Sequence, residues 1–380
     1  MNAQAPAPLP FVDLAAQRRR LGGRADAAVS RVLEHGQYIL GPEVRAFEAA
    51  LAAHCGAKHA VGVASGADAL LIALLAAGVG PGDAVICPSF TFCATAEMAA
   101  LLGATPVFVD VREDDFNLDP AQLPAALALA RSQGLQPKAI VAVDLFGLAA
   151  DYDAIDAFAE AEGLLVIADA AQSYGADFRG RKVGRLAPVT TTSFFPAKPL
   201  GCWGDGGAIL TDDDAYAELA RSLRAHGAGS DRYDNVRIGI TGRLDTIQAA
   251  ILIEKLAIFD EEIVARRAAA AAYSAALADA AAVPATFADR GSVWAQYTLR
   301  LPKGRRAAVA ERLKAAGVPT AIYYPIPLHR QVAYRGYPVV GNGLPVSDRL
   351  ADEVLSLPMH AYLSGEAIAR VVGALRAALA

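Results

Sequence analysis

The run Leu164-Leu165-Val166-Ile167-Ala168-Asp169-Ala170-Ala171-Gln172-Ser173 decides the fold class. Five apolar residues in a row, with no polar alternation, describe a strand buried on both faces, as in a parallel sheet covered by helices. A carboxylate then stands at the carboxyl end of that strand, where open α/β sheets bind their ligands. The same texture extends upstream. Strands are expected at 60–64, 84–88, 106–111, 139–145 and 164–168, with helices over 68–77, 94–102, 120–130 and 152–162 between them. Two further short runs, 190–195 and 207–211, follow one another without a full helix between them. The sheet is therefore expected to hold an antiparallel element, which a simple repeat of parallel units would not give.

From residue 246 the pattern changes. A long helix over 246–277 leads to a strand at 293–301, a helix over 305–316, the segment Tyr323-Tyr324-Pro325-Ile326-Pro327-Leu328, and a last helix over 364–379. The expected organisation is a large α/β domain over 1–250 and a smaller α+β domain over 251–380, the 380 residues being ample for two cores.

Composition narrows the function classes. A net charge of −5 is too small and of the wrong sign for a polyanion-binding surface, so no nucleic-acid partner is expected. An anionic substrate would have to be held by locally placed Arg side chains. The N-terminal residues lack a basic segment followed by an apolar one. The apolar run 69–78 is too short to cross a bilayer, and 268–282 is broken by Ser274 and Asp279. A cytoplasmic chain with no membrane association is expected. Cys55, Cys87, Cys93 and Cys202 form no C-x-x-C pair and have no His at ligand spacing, so buried reduced thiols and no metal are expected.

Chemistry is concentrated in two places. Lys198 lies in Ser193-Phe194-Phe195-Pro196-Ala197-Lys198-Pro199-Leu200-Gly201, before the glycine-rich Gly204-Asp205-Gly206-Gly207. A lysine in an apolar pocket loses hydration, its pKa falls, and its neutral amine can form a Schiff base. A lysine that reaches from a strand end to solvent is the alternative reading. Asp169 is the second place. A buried carboxylate is what pyridoxal phosphate needs beside its pyridine nitrogen, to keep it protonated and the ring an electron sink; a helix N-cap is the alternative. Ser65-Gly66-Ala67-Asp68, directly after a strand, makes a strand–Gly–helix junction whose N–H groups suit a phosphate. Phe92, after Pro88-Ser89-Phe90-Thr91, is a candidate to stack on the ring, and equally a core aromatic.

Taken together, Ala168-Asp169-Ala170-Ala171-Gln172-Ser173, the 193–201 stretch, Gly204-Asp205-Gly206-Gly207, Gly36-Gln37-Tyr38-Ile39-Leu40-Gly41, Arg243-Leu244-Asp245-Thr246-Ile247-Gln248 and Tyr324-Pro325-Ile326-Pro327-Leu328 resemble the DegT/DnrJ/EryC1/StrS sugar aminotransferases. The resemblance runs from Phe11-Val12-Asp13-Leu14 almost to the C-terminus. Leu355-Ser356-Leu357-Pro358-Met359-His360 is similar to the subgroup that aminates C3 of UDP-2-acetamido-2-deoxy-3-keto-glucuronic acid. It implies the aspartate-aminotransferase-like fold type I, pyridoxal 5′-phosphate as cofactor, L-glutamate as donor, a nucleotide-linked keto sugar as acceptor, and a homodimer with shared active sites, serving precursors of surface polysaccharide such as lipopolysaccharide O-antigen.

Carried over residue by residue, the resemblance makes Lys198 the Schiff-base lysine and Asp169 the partner of the pyridine nitrogen. Gln172 would contact the ring hydroxyl and Phe92 would stack on the ring. Gly66, Ala67 and Ser193 would hold the phosphate, with Thr241 at a further phosphate position. Arg243 would reach across from the partner chain toward a carboxylate, and Tyr38, Tyr323 and Tyr324 would line the substrate side. Three residues depart from the family pattern: Ala67 stands for Thr, Thr241 for Asn, and Tyr323 for His. A dTDP- or GDP-linked 3- or 4-keto hexose remains open as the acceptor, and a non-catalytic regulator that keeps the fold remains open as a different class.

Overall fold

The computed structural model describes residues 9–231 and 233–380. The N-terminal segment 1–8, read above for a targeting signal, lies outside the described residues.

Seven strands form the central sheet: β1 (His59–Val63), β2 (Asp83–Pro88), β3 (Thr105–Val109), β4 (Gln136–Val143), β5 (Leu165–Asp169), β6 (Val189–Ser193) and β7 (Gly207–Thr211). Their spatial order is β1-β7-β6-β5-β4-β2-β3. β7 runs antiparallel to both its neighbours, and the β2–β3, β2–β4, β4–β5 and β5–β6 pairs are parallel. This is the mixed sheet expected from the missing helix between 195 and 207.

Alternate residues of each strand enter different cores, as the two-residue period demands. Ile86, Val107, Ile140, Val166 and Leu210 pack beneath the helices Pro42–Cys55, Leu123–Ser132 and Tyr152–Glu162. Val63, Val85, Val141, Ile167 and Ile209 pack against Gly66–Ala76, Ala94–Leu101 and Asp214–Leu223. Both faces are covered, which is why strands such as Leu165–Asp169 and Gly207–Thr211 read as largely apolar runs; β6, Val189-Thr190-Thr191-Thr192-Ser193, is buried but polar in sequence.

Helix Thr246–Leu277 serves two cores. Its first half packs Ala249, Leu252 and Phe259 beneath the large sheet. Its last turns place Ala270, Tyr273 and Leu277 in a separate core with Tyr297, Leu299, Leu355 and Leu375. There β8 (Tyr297–Arg300) pairs antiparallel with β9 (Val354–Leu357), flanked by helices Arg306–Ala315 and Gly365–Leu379. The 250/251 division falls inside the long helix.

Some expected elements change shape. The strand expected at 293–301 shrinks to Tyr297–Arg300, because Trp294 takes a left-handed φ of 51° that no strand continues through. The helix expected over 120–130 splits into a 3₁₀ turn, Pro120–Gln122, and the helix Leu123–Ser132. Helices Leu14–Leu21, Gly23–His35 and Pro42–Cys55 precede the first strand and were not anticipated. Cys55, Cys87 and Cys202 are buried and free, whereas Cys93 is only half-buried. No described helix is long and apolar enough to cross a membrane.

Candidate active site

Asp169 ends β5 and is buried, with 6% exposure. Its Oδ1 accepts the Ala171 N–H at 3.2 Å and its Oδ2 accepts the Thr95 hydroxyl at 3.1 Å. Burial pushes its carboxyl pKa up, while the positive charge of Lys198 works the other way. Lys198 is half-buried. Its ammonium pKa is held below the ordinary value, mainly by desolvation, with Asp169 as the opposing influence. The two groups therefore feel each other, yet no ion pair within 4.0 Å joins them among the described residues. Such a pair matches the chemistry of a planar group with a cationic nitrogen at one end and an electrophilic carbon at the other.

The loop carrying Lys198 is closed by main-chain bonds. Lys198 N–H donates to Phe195 O at 2.8 Å, Cys202 N–H to Phe194 O at 2.7 Å, and Phe194 N–H to Gly206 O at 2.7 Å. Buried Lys255 donates to Gly201 O at 2.5 Å. The lysine thus sits on a fixed turn, which the sequence does not reveal.

Next to this turn, Ser193 ends β6 and faces Gly66 at the start of helix Gly66–Ala76. A Cβ on Gly66 would lie 2.6 Å from Ser193 Cβ and 3.0 Å from its hydroxyl. Only a residue without a side chain fits there. Ser65 caps the helix through Asp68 N–H at 3.0 Å, and the first intrahelical bond is Ala69 N–H to Ser65 O. The Gly66 and Ala67 N–H groups come before that bond and are open to an anion by helix geometry. This helix start is what a phosphate needs, and with a desolvated lysine and a buried carboxylate nearby the donor set suits pyridoxal phosphate.

Gln172 and the aromatic residues line the same region. Gln172 Oε1 accepts the Phe146 N–H at 2.7 Å, and its Nε2 donates to the Tyr324 hydroxyl at 3.2 Å. The Tyr324 ring lies 6.2 Å from Phe92 and 5.8 Å from Tyr323, centroid to centroid. Phe92 is 55% exposed, so its ring has a face to offer. Thr241, Arg243 and Tyr38 form a second group. Arg243 donates to the Thr241 hydroxyl at 2.6 Å and bridges to Val63 at the sheet edge, and Tyr38 O accepts the Thr246 N–H. With Ser65 and Asp68, Arg243 lines one cleft. No described contact joins this group to Lys198 or Asp169 within the chain.

Two buried groups escaped sequence reading. Thr95, 1% exposed, holds Asp169 from a helix whose pattern marks it as ordinary. Asp144, at the end of β4, is fully buried and accepts bonds from Ala150 N–H, the Tyr152 hydroxyl and the Ser173 hydroxyl. Its place at a strand end was the available signal.

A lysine opposite a buried carboxylate, beside a side-chain-free helix start at the carboxyl edge of an α/β sheet, defines the fold type I pyridoxal-phosphate enzymes. Residues 20–376 match the model of the DegT/DnrJ/EryC1/StrS aminotransferase family, and the chain belongs to that family. It is a pyridoxal-phosphate-dependent aminotransferase. It is 49% identical, over 96% of its length and 99% of the relative's, to UDP-2-acetamido-2-deoxy-3-oxo-D-glucuronate aminotransferase of Pseudomonas aeruginosa. It is 42% identical to dTDP-3-amino-3,4,6-trideoxy-alpha-D-glucose transaminase of Streptomyces venezuelae, covering 99% and 98% of the two chains. The crystal structure of a DegT DnrJ EryC1 StrS aminotransferase from Brucella abortus superposes with a TM-score of 0.95 at 51% identity, over 97% of this chain and 99% of that one.

Proposed function

We propose that this enzyme transfers the amino group of L-glutamate to C3 of UDP-2-acetamido-2-deoxy-3-keto-D-glucuronic acid, in the cytoplasm, for bacterial surface-polysaccharide precursors such as O-antigen. The observation that carries the reaction class is a desolvated Lys198 within electrostatic reach of buried Asp169, beside the side-chain-free start of helix Gly66–Ala76. The full-length similarity to the Pseudomonas aeruginosa enzyme supports the acceptor.

The residue roles follow from chemistry. Asp169 keeps the pyridine nitrogen protonated, and Thr95 and Ala171 N–H fix its carboxylate. Gly66, Ala67 and Ser193 hold the phosphate, Phe92 stacks on the ring, and Gln172 meets the ring hydroxyl. When bound, the cofactor supplies an electron sink for a deprotonated carbon. Lys198 would tether the cofactor, and its desolvated amine, once free, would take the proton from the amino acid α-carbon and return it as general acid. The same group runs the steps in reverse on the keto sugar, giving ping-pong kinetics.

The reading includes a homodimer, in which Thr241, Arg243 and Tyr38 complete the partner's site. Exposed Ile39 and Ile238, which line one cleft with Arg243, support it, since a monomer gains nothing by leaving such a face in water. It also keeps the two domains, with residues 1–250 binding the cofactor and 251–380 closing the site. A dTDP-linked keto hexose is the second acceptor reading, favoured by the similarity to the Streptomyces venezuelae transaminase.

The test is a steady-state panel of UDP-, dTDP- and GDP-linked 3- and 4-keto sugars with glutamate. Highest kcat/KM on the UDP-linked 3-keto uronic acid is expected. A preference for a dTDP-linked hexose selects the second reading, and turnover of none of them, in protein that binds no cofactor, selects the regulator.

A further inference from the structure

Ser89 follows β2 directly and is completely buried. Its Oγ lies 2.7 Å from His329 Nδ1 and accepts the His329 main-chain N–H at 3.1 Å; its carbonyl accepts the Leu328 N–H at 2.9 Å. Three bonds therefore tie one end of the segment 323–329 to the strand that also delivers Phe90 and Phe92. On the far side, His329 Nε2 lies 3.2 Å from Asp348 Oδ1, near enough for an ion pair though not aligned as a hydrogen bond. Asp348 also takes two bonds from Arg330, at 3.0 and 2.5 Å. The helix that carries Asp348, Pro345–Glu353, is pinned in turn by Asp110, which accepts the Val346 and Ser347 N–H groups at 2.8 and 2.7 Å.

A Ser–His–Asp line invites comparison with hydrolytic relays. That reading fails here, because Ser89 has 0% exposure and its oxygen already receives a main-chain N–H. No substrate reaches it. Burial holds the His329 imidazole below its ordinary pKa, which favours the neutral ring. Ser89 Oγ already accepts the His329 main-chain N–H, so its own proton is free for Nδ1, and that pairing leaves the ring proton on Nε2, on the Asp348 side.

The segment anchored at Leu328 and His329 also carries Tyr324, five residues before His329. The Tyr324 hydroxyl accepts from Gln172, and its ring stands 6.4 Å from Phe90 and 6.2 Å from Phe92. Gln172 has its own anchor on Phe146 N–H and does not depend on Tyr324 for its place. We infer that His329, locked by Ser89 and Asp348, is a positioning residue that sets the Tyr323–Tyr324 side of the site for the sugar, and not for the amino-acid donor. The inference rests on the nucleotide-sugar reading above. It goes beyond that reading by splitting the two half-reactions between different supports: the donor step relies on Lys198 and Asp169, and the acceptor step relies in addition on the His329 clamp.

The test uses the holoenzyme and three variants, His329→Leu, His329→Asn and Ser89→Ala. An Asn carbonyl stands where Nδ1 does and can accept the Ser89 hydroxyl, whereas Leu cannot. His329→Leu and Ser89→Ala are expected to raise KM for the keto sugar about tenfold or more, with the single-turnover rate of the glutamate half-reaction within about twofold of native. His329→Asn is expected to recover most of the loss. Equal sugar KM in His329→Leu and native enzyme overturns the inference, as does slowing of both half-reactions together or an Asn variant as impaired as Leu. Thermal unfolding of each holoenzyme accompanies the kinetics, and a loss of sugar binding that merely tracks a loss of melting temperature across all three variants also overturns it. A native enzyme that accepts no nucleotide sugar overturns the parent reading and this one with it; a native enzyme that does, beside unaffected variants, overturns this one alone.

Discussion

Replacing Asp169 by Asn removes a charge and little else. The Asn carbonyl can still accept the Ala171 N–H, now at 3.2 Å from Oδ1. Its amide can donate to the Thr95 oxygen, and Thr95 can turn its own proton to the Thr91 hydroxyl 3.3 Å away. The hydrogen-bond network survives, so the consequences isolate the charge. In catalysis a neutral amide cannot hold the pyridinium proton. A hydrogen bond to a charged group contributes about 1.5–3 kcal/mol, and 1.36 kcal/mol is a factor of ten, so each half-reaction should slow by about 10- to 150-fold.

Stability of the cofactor-free chain should move the opposite way. Burial raises the Asp169 pKa, so the folded chain holds that proton more tightly than the unfolded chain does. The destabilisation is absent below the ordinary value of 3.8 and grows as pH rises toward and through the folded pKa. Cofactor-free Asp169→Asn should therefore melt above the native chain near neutral pH, with the gap closing in acid. Stopped-flow single turnovers and scanning calorimetry of the apoprotein measure the two effects. Single-turnover rates within about threefold of native, less than the 1.36 kcal/mol per decade invoked, would refute the catalytic role. A variant that melts lower at neutral pH would refute the electrostatic reasoning.

Lys198→Ala should abolish turnover while leaving the melting temperature close to native, because the turn is held by main-chain bonds at Phe194 and Phe195 and not by the lysine side chain; turnover at near-native rate would exclude the role. Ala67→Thr adds a hydroxyl to the first turn of helix Gly66–Ala76 and should tighten pyridoxal phosphate by about tenfold, the scale of one hydrogen bond to a charged group. Titration of the two apoproteins decides it, and equal or weaker binding counts against the assignment of Ala67. Asp144 has its pKa raised to about 7 by burial, so the cost of its charge appears as pH rises from 3.8 through about 7. Asp144→Asn should gain melting temperature relative to native between pH 5 and pH 8, and a difference that stays flat with pH would sink the argument.

The parts of the fold legible in the sequence are those with a one-dimensional signature. Apolar runs marked most strands of the sheet, though β6, Val189-Thr190-Thr191-Thr192-Ser193, is polar in sequence and lies one residue earlier than the run at 190–195; the full extents of Tyr152–Glu162, Gly207–Thr211 and Thr246–Leu277 match their patterns residue for residue. Asp169 and Lys198 were legible because each interrupts an apolar stretch. Residues whose role is made by distant packing were not. Thr95 meets Asp169 across 74 positions and Ser89 meets His329 across 240, and a Thr inside a helix or a Ser after a strand carries no mark of such a partner. The short strands Asp177–Phe178, Arg181–Lys182 and Arg290–Gly291 are two residues each, below the length at which a period can be read.

The antiparallel strand explains why the site assembles where it does. β1 to β6 all point the same way, since β1 and β6 are each antiparallel to β7. Their carboxyl ends deliver Ser65, Ser89, Asp144, Asp169 and Ser193 to one edge of the sheet. A parallel strand after β6 would require a crossover back to the opposite edge, taking the following dozen or more residues away from the ligand. Because β7 returns antiparallel, the loop 194–206 stays at the carboxyl edge and Lys198 is suspended over the strand ends. The return also forces a close approach: a Cβ on Gly207 would fall 2.4 Å from Ser65 O and 2.8 Å from Gly66 N. One glycine therefore lets the returning strand reach the start of the phosphate-facing helix, and the same topological reversal that breaks the parallel pattern brings the lysine to the carboxylate.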